Sequence, residues 1–239
     1  MRLAAGGTLA LAALALAGCA TGGVPAAQVG GVARELPSEV VVDIPDQTFI
    51  CPSGALAEVR RDAPAGVAIV TYMDETTTFM QEVGKSPASF VAGSSSLVLE
   101  PTRVVLRRGR EKALACELRP EAPQRGVLWG TISKMDRMAL VPGTRAKVIV
   151  GDVSRAGAPM IEVASTQLET MGNQVPLHFL IRYDESRILP GMRYSIMARI
   201  EDPKGRLLYI TDTFNPVFET VGKAQPPVDL MLIRVPGNQ

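Results

Sequence analysis

Leu177-His178-Phe179-Leu180-Ile181-Arg182-Tyr183 and Tyr194-Ser195-Ile196-Met197-Ala198-Arg199-Ile200 carry the pattern that decides the fold. In the first stretch Leu177, Phe179, Ile181 and Tyr183 share one side, and His178, Leu180 and Arg182 share the other. In the second, Tyr194, Ile196, Ala198 and Ile200 face one way, against Ser195, Met197 and Arg199. A period of two with one apolar face is the pattern of a strand in a sheet packed on one side. Working outward, short runs rich in Val, Ile, Thr and Leu recur along the chain. They are broken by turns such as Leu189-Pro190-Gly191 and Pro203-Lys204-Gly205. Helical periodicity is nearly absent, so the expected class is all-β.

A break falls at Arg119-Pro120-Glu121-Ala122-Pro123-Gln124-Arg125-Gly126, where prolines and charged residues interrupt the strand-like runs. The stretch before it, residues 37–119, offers eight candidate strands: Glu39–Ile44, Thr48–Cys51, Leu56–Arg60, Ala65–Met73, Thr77–Val83, Ser89–Leu99, Arg103–Arg107 and Lys112–Leu118. Eight are enough to close a small antiparallel barrel. The stretch after it, residues 126–236, offers seven: Gly126–Lys134, Ala146–Val150, Met160–Leu168, Pro176–Tyr183, Tyr194–Glu201, Leu207–Thr213 and Val228–Val235. The expected architecture is therefore a small eight-stranded antiparallel barrel followed by a seven-stranded β-sandwich.

The N-terminus reads differently. One charge at Arg2 precedes an apolar run from Leu3 to Ala17, which is a secretory signal pattern too short to span a bilayer comfortably. It ends in Leu16-Ala17-Gly18-Cys19, which resembles a lipobox. That resemblance implies a signal peptide over residues 1–18, cleavage before Cys19, and lipid on its thiol as the membrane attachment. Ala20 rather than Asp follows, which favours the outer membrane and a periplasm-facing protein. Residues 19–36 are rich in Gly, Ala and Val and read as a lipidated flexible tether.

Of 239 residues, 25 are Lys or Arg and 24 are Asp or Glu. Nothing in this balance points to nucleic acid. With Cys19 assigned to lipid, Cys51 and Cys116 remain as an even pair in an oxidising compartment, and a disulfide between them is expected. Two free thiols or a metal pair are the alternatives, without supporting His or Cys neighbours. His178, the single histidine, is too isolated for a metal site, and no cofactor is implied.

Two family resemblances follow from longer motifs. Residues 126–236 resemble the YbaY/YscW lipoprotein domains through Gly130-Thr131-Ile132, Ala139-Leu140-Val141-Pro142-Gly143-Thr144-Arg145-Ala146, Val150-Gly151-Asp152-Val153-Ser154, Val175-Pro176-Leu177-His178-Phe179, Arg206–Thr213 and Asn215-Pro216-Val217. This implies a β-sandwich on an envelope lipoprotein, and in some members a pilotin role toward a secretion ring. Residues 37–119 resemble the membrane-bound and periplasmic inhibitors of C-type lysozyme (MliC/PliC). The matching motifs are Thr48-Phe49-Ile50-Cys51-Pro52-Ser53-Gly54, Ala92-Gly93-Ser94-Ser95-Ser96, Arg108-Gly109-Arg110-Glu111-Lys112-Ala113-Leu114 and Cys116. That resemblance implies an eight-stranded barrel whose loops enter the lysozyme cleft. The family's Ser and Tyr positions are occupied here by Ala92 and Ser96, and its Lys by Arg108. Ser94, Ser95 and Ser96, with Arg108 as a charge-assisted donor, are then the candidate partner-binding residues.

Arg103, Arg107, Arg108, Arg110 and Lys112 form the densest basic patch, to be weighed against an ordinary solvated hairpin. Asp152, Glu201 and Asp202 read as commonplace strand-end acids, and Trp129 as a core residue. No motif meets the geometric roles of a catalytic site. The expected function is a non-enzymatic outer-membrane binding module that inhibits C-type lysozyme through its barrel. The alternative is an assembly lipoprotein or envelope adaptor acting through the sandwich on an envelope or secretion partner.

Overall fold

The structure, a computed structural model, describes residues 46–237. Cys19, the signal segment, the tether and the expected strand Glu39–Ile44 lie outside the described residues.

Eight strands form the first sheet: β1 (Gln47–Ile50), β2 (Leu56–Asp62), β3 (Val67–Tyr72), β4 (Glu75–Gln81), β5 (Ala88–Ala92), β6 (Ser95–Leu99), β7 (Arg103–Arg107) and β8 (Leu114–Leu118). Each pairs antiparallel with the next, and β8 returns to β1 to close a barrel. The two-residue alternation sends Ala68, Val70 and Tyr72 of β3 inward, and Val104 and Leu106 of β7 likewise. Phe49, Phe79 and Phe90 fill the interior and are fully buried.

The run Ser89–Leu99, read from sequence as one strand, is a hairpin of β5 and β6 turning at Gly93-Ser94. Small and polar residues at the middle of that run make the turn. The described barrel thus reaches eight strands through this hairpin, independently of Glu39–Ile44.

Closure depends on a short seam. β1 and β8 pair at Phe49–Leu118 and Ile50–Glu117, and one further backbone hydrogen bond, Arg119 N to Thr48 O at 2.8 Å, extends the seam. The register position beyond Ile50–Glu117 holds Cys51 and Cys116, joined as a disulfide with their Cα atoms 4.1 Å apart. Both cysteines are buried.

The second sheet uses β9 (Val127–Lys134), β10 (Arg145–Asp152), β11 (Ile161–Glu169), β12 (Leu177–Arg182), β13 (Tyr194–Glu201), β14 (Leu207–Ile210), β15 (Pro216–Val217) and β16 (Val228–Arg234). Their order is β11-β10-β13-β14-β16-β9-β12, with the short β15 beside β13. The path curls round one core, bringing its end strands β11 and β12 near each other, so the two layers belong to one nearly closed sheet. All pairs are antiparallel except β16 with β9. A parallel pair needs a long crossover, and here everything from β10 to β15 intervenes. Ile132, Leu177, Phe179, Ile181, Ile196 and Ile200 are fully buried, as the alternation predicts. Trp129 departs from expectation. β9 turns Leu128, Gly130 and Ile132 inward, which puts Trp129 half-buried on the outer face, and its indole N–H has no hydrogen-bond partner among the described residues.

The barrel's first turn reaches the second sheet. Pro52 O accepts from Glu169 N of β11 at 3.0 Å, and Gly54 O accepts from His178 N of β12 at 2.8 Å. Gly54 has φ +79°, and a Cβ there would stand 3.0 Å from Leu177 Cβ. Inside the turn Ser53 is fully buried and accepts hydrogen bonds from Ala55 N and Tyr72 Oη. At the rim Arg182 Nε donates to Glu117 Oε2 at 2.7 Å.

Candidate functional site

The turns at Met73-Asp74, Gly93-Ser94 and Arg108–Ala113 lie at one end of the barrel. They surround a mouth of about 290 Å³ floored by Val70, Phe79 and Leu106. Arg108 reaches over it. Its guanidinium stands 5.0 Å from the centre of the Tyr72 ring, 3.4 Å from Glu75 and 3.2 Å from Glu111. The cation is thus held by an aromatic face and two partly exposed carboxylates of its own chain, weak attachments in the presence of water.

The structure brings some of the sequence candidates together. Ser95 lines the same mouth and its Oγ accepts from Gly109 N at 3.1 Å. Ser94 Oγ lies 3.6 Å from the position of a Cβ on Gly109, so the two hairpins touch. Ser96 is different: it pairs in register with Arg107 on the barrel's outer wall, since alternation points it away from buried Leu97. Arg107, Arg110 and Lys112 are exposed around this tip, whereas Arg103 is engaged by Glu100 at 3.0 Å.

A second constellation was not legible in the sequence. Lys134 ends the inward face of β9 with its side chain 2% exposed, and its Nζ bonds Asp136 Oδ1 at 2.5 Å. Tyr209 Oη donates to Asp136 Oδ2 at 3.0 Å, and the Lys134 ammonium sits 5.3 Å from the Tyr209 ring. Burial pushes the Asp136 carboxyl up, but the hydrogen bonds of Lys134 and Tyr209 and the Lys134 charge outweigh it and hold the group below the ordinary carboxylate value. Burial and then Asp136 raise the Tyr209 hydroxyl. This triad pins the connection after β9 to β14. Asp136→Ala leaves a buried ammonium without its counter-charge and is expected to destabilise the chain by about 3–5 kcal/mol. Lys134→Met combined with Asp136→Ala should recover much of that loss in urea unfolding, because an apolar pair of similar volume replaces the charges. A double variant as unstable as Asp136→Ala alone would contradict this account.

His178 is half-buried on β12, where burial first and Arg119 second lower its imidazole below the usual value, partly countered by Asp229. As pH falls below about 6.5, the unfolded chain takes up this proton before the folded chain does. Stability is therefore full above that pH and declines below it, until the folded imidazole also protonates. Urea midpoints at pH 7.5 and 5.5 should show the decline, and His178→Gln should reduce it. An unchanged decline in the variant would assign it to other groups.

Of the acids at strand ends, Asp152 and Asp202 serve turns, while Glu201 pairs with Arg199 Nε of its own strand at 3.1 Å. Asp152 Oδ1 accepts from Ser154 N at 2.8 Å. Asp202 accepts from Lys204 N, Arg206 N and Arg206 Nε, and the Arg206 hydrogen bond holds its carboxyl below the ordinary value. Among the described residues no group of His, Cys, Asp and Glu is placed to hold a metal.

The second half is a curled, mixed all-β sheet running from β9 to β16. Residues 123–232 match the family described as type III secretion system lipoprotein chaperone (YscW). The uncharacterized lipoprotein YbaY of Escherichia coli K12 is 31% identical over 106 residues, 44% of this chain and 54% of that protein. The chain thus spans about half the length of this curated relative. A solved structure, an alternative pilotin from the type II secretion system of Vibrio cholerae, is 40% identical over 46% of this chain and 97% of its own, with a TM-score of 0.43. The C-terminal region, residues 123–232, carries a domain of the YscW/YbaY lipoprotein family.

Proposed function

We propose that this chain is a non-enzymatic, lipid-anchored envelope protein that acts as an assembly factor or adaptor through the sheet β9–β16. The match of residues 123–232 to a secretion lipoprotein chaperone family carries this reading. Leu16-Ala17-Gly18-Cys19 supports attachment by lipid on Cys19, with residues 1–18 removed and 19–36 as tether. The site of action is the periplasm-facing side of the outer membrane, and the client is an envelope or secretion protein. Residues 37–119 and 126–236 then act as two modules on one anchor.

The test uses the full-length lipidated protein. Cross-linking in intact cells, followed by purification from detergent-solubilised envelopes, should recover one outer-membrane protein. Cys19→Ala should lose it, and deletion of the chain should lower that client's level in the outer membrane. An outer-membrane protein profile unchanged by deletion would overturn the assembly role.

A second reading, inhibition of C-type lysozyme by the barrel, is favoured by the approach of Ser94, Ser95 and Arg108 at one mouth. Arg108 must leave Glu75 and Glu111 to meet a lysozyme carboxylate. Purified mature chain at micromolar excess should slow lysozyme, and Arg108→Ala should weaken the effect at least tenfold. No slowing by the unaltered chain would dispose of this reading without touching the first.

A further inference from the structure

The two end strands of the second sheet meet an element from the other half of the molecule. Where β11 ends and β12 begins, the turn Cys51-Pro52-Ser53-Gly54 bonds to both, through Pro52 O to Glu169 N and Gly54 O to His178 N. It also covers the edge of the core. The position of a Gly54 Cβ lies 3.0 Å from Leu177 Cβ and 3.5 Å from Leu168 Cδ1, and both leucines belong to the second sheet's buried cluster. The turn is held from behind. Cys51 opens it and is tied by the disulfide to Cys116 of β8, while Ser53 is anchored by Tyr72 of β3. A cleft of about 140 Å³ at this joint is lined by Cys51 and Ala115 on the barrel side and by Gln167 and Leu180 on the sheet side.

We infer that this turn is a strap clamping the ends of β11 and β12, and that the Cys51–Cys116 disulfide holds the strap in place. The physical reasons are three. Strand ends with unpaired backbone groups are prone to open, and the strap satisfies two of them. The barrel seam beneath it has two paired positions before the disulfide, so the cross-link supplies much of its restraint. The side-chain-free surface of Gly54 lets the turn lie directly on Leu177, which a Cβ would crowd at 3.0 Å, and its φ of +79° disfavours a side chain as well. Breaking the disulfide frees the strap and exposes the β11 and β12 ends to pairing with another chain. The reductant is a dithiol: the S–S bond breaks, each sulfur gains an electron and a proton, and the dithiol closes to its own disulfide.

Hydrogen exchange on the mature chain with Cys19 replaced by serine tests this. Gly54→Ala, with the disulfide intact, should speed exchange at the Glu169 and His178 amides at least tenfold. Amides of the β10–β13 pair and of the barrel seam should keep their unaltered rates. Reduction with dithiothreitol should speed the Glu169 and His178 amides and the seam together, again sparing β10–β13. Unchanged Glu169 and His178 amides in either arm, or equal acceleration through β10–β13, would overturn the strap.

Discussion

Gly130→Ala is expected to destabilise the second sheet by more than about 3 kcal/mol, at or beyond the upper end of ordinary overpacking. Gly130 sits inward on β9, opposite Val228 of β16 in the parallel pair. A Cβ there would stand 1.8 Å from Val228 O, 2.7 Å from its carbonyl carbon and 2.9 Å from its nitrogen. All three are backbone atoms of β16, whose Val228–Leu232 stretch is paired with β9, so rotamer changes cannot relieve the contact. The pair must separate, and the inward residues Leu230 and Leu232 go with it. Urea unfolding followed by the circular dichroism of the sheet gives the number. A variant of unaltered stability would contradict the register of β16 on β9.

Loss of the disulfide is the second large effect. Cys51 and Cys116 are 65 residues apart in sequence. On the chain-entropy account, removing a cross-link of that span destabilises by about 4 kcal/mol. Its place at the end of a short seam concentrates the loss on barrel closure. Cys51→Ser with Cys116→Ser should lower the barrel's unfolding midpoint sharply, read from amide signals of β1 and β8. A double variant as stable as the parent would mean that the seam closes without it.

Much of the fold was legible because strands with one buried face write their period into the sequence. Tyr194, Ile196, Ala198 and Ile200 turned inward as their alternation requires. The disulfide followed from counting cysteines and from compartment, and the structure pairs Cys51 with Cys116. The run Ser89–Leu99 misled because apolar alternation continues on both sides of a turn made by small residues. Trp129 misled because bulk suggests burial, while the phase of β9 sends it outward. Ser96 and Ser95 read alike as neighbours in one motif, yet adjacent strand residues face opposite ways.

The candidate sites divide on the same line. Arg108 stands out in sequence as part of a basic hairpin. Its contact with Tyr72 and Glu75 spans more than thirty positions and exists only once the barrel closes. Lys134 and Asp136 look like an ordinary charged strand end, and Tyr209, 73 positions from Asp136, makes them a buried network.

The export signal and lipobox pattern at Cys19, the strand periodicity and the pairing candidates Cys51 and Cys116 are local properties or simple counts, and the sequence alone determined these expectations. Tertiary structure alone decided the parallel join of β16 to β9, the cage around Arg108, the Lys134–Asp136–Tyr209 network and the strap at Cys51–Gly54. Each depends on backbone atoms or side chains meeting across long separations. A linear pattern records which face a residue presents, and closure of the sheets decides what that face meets.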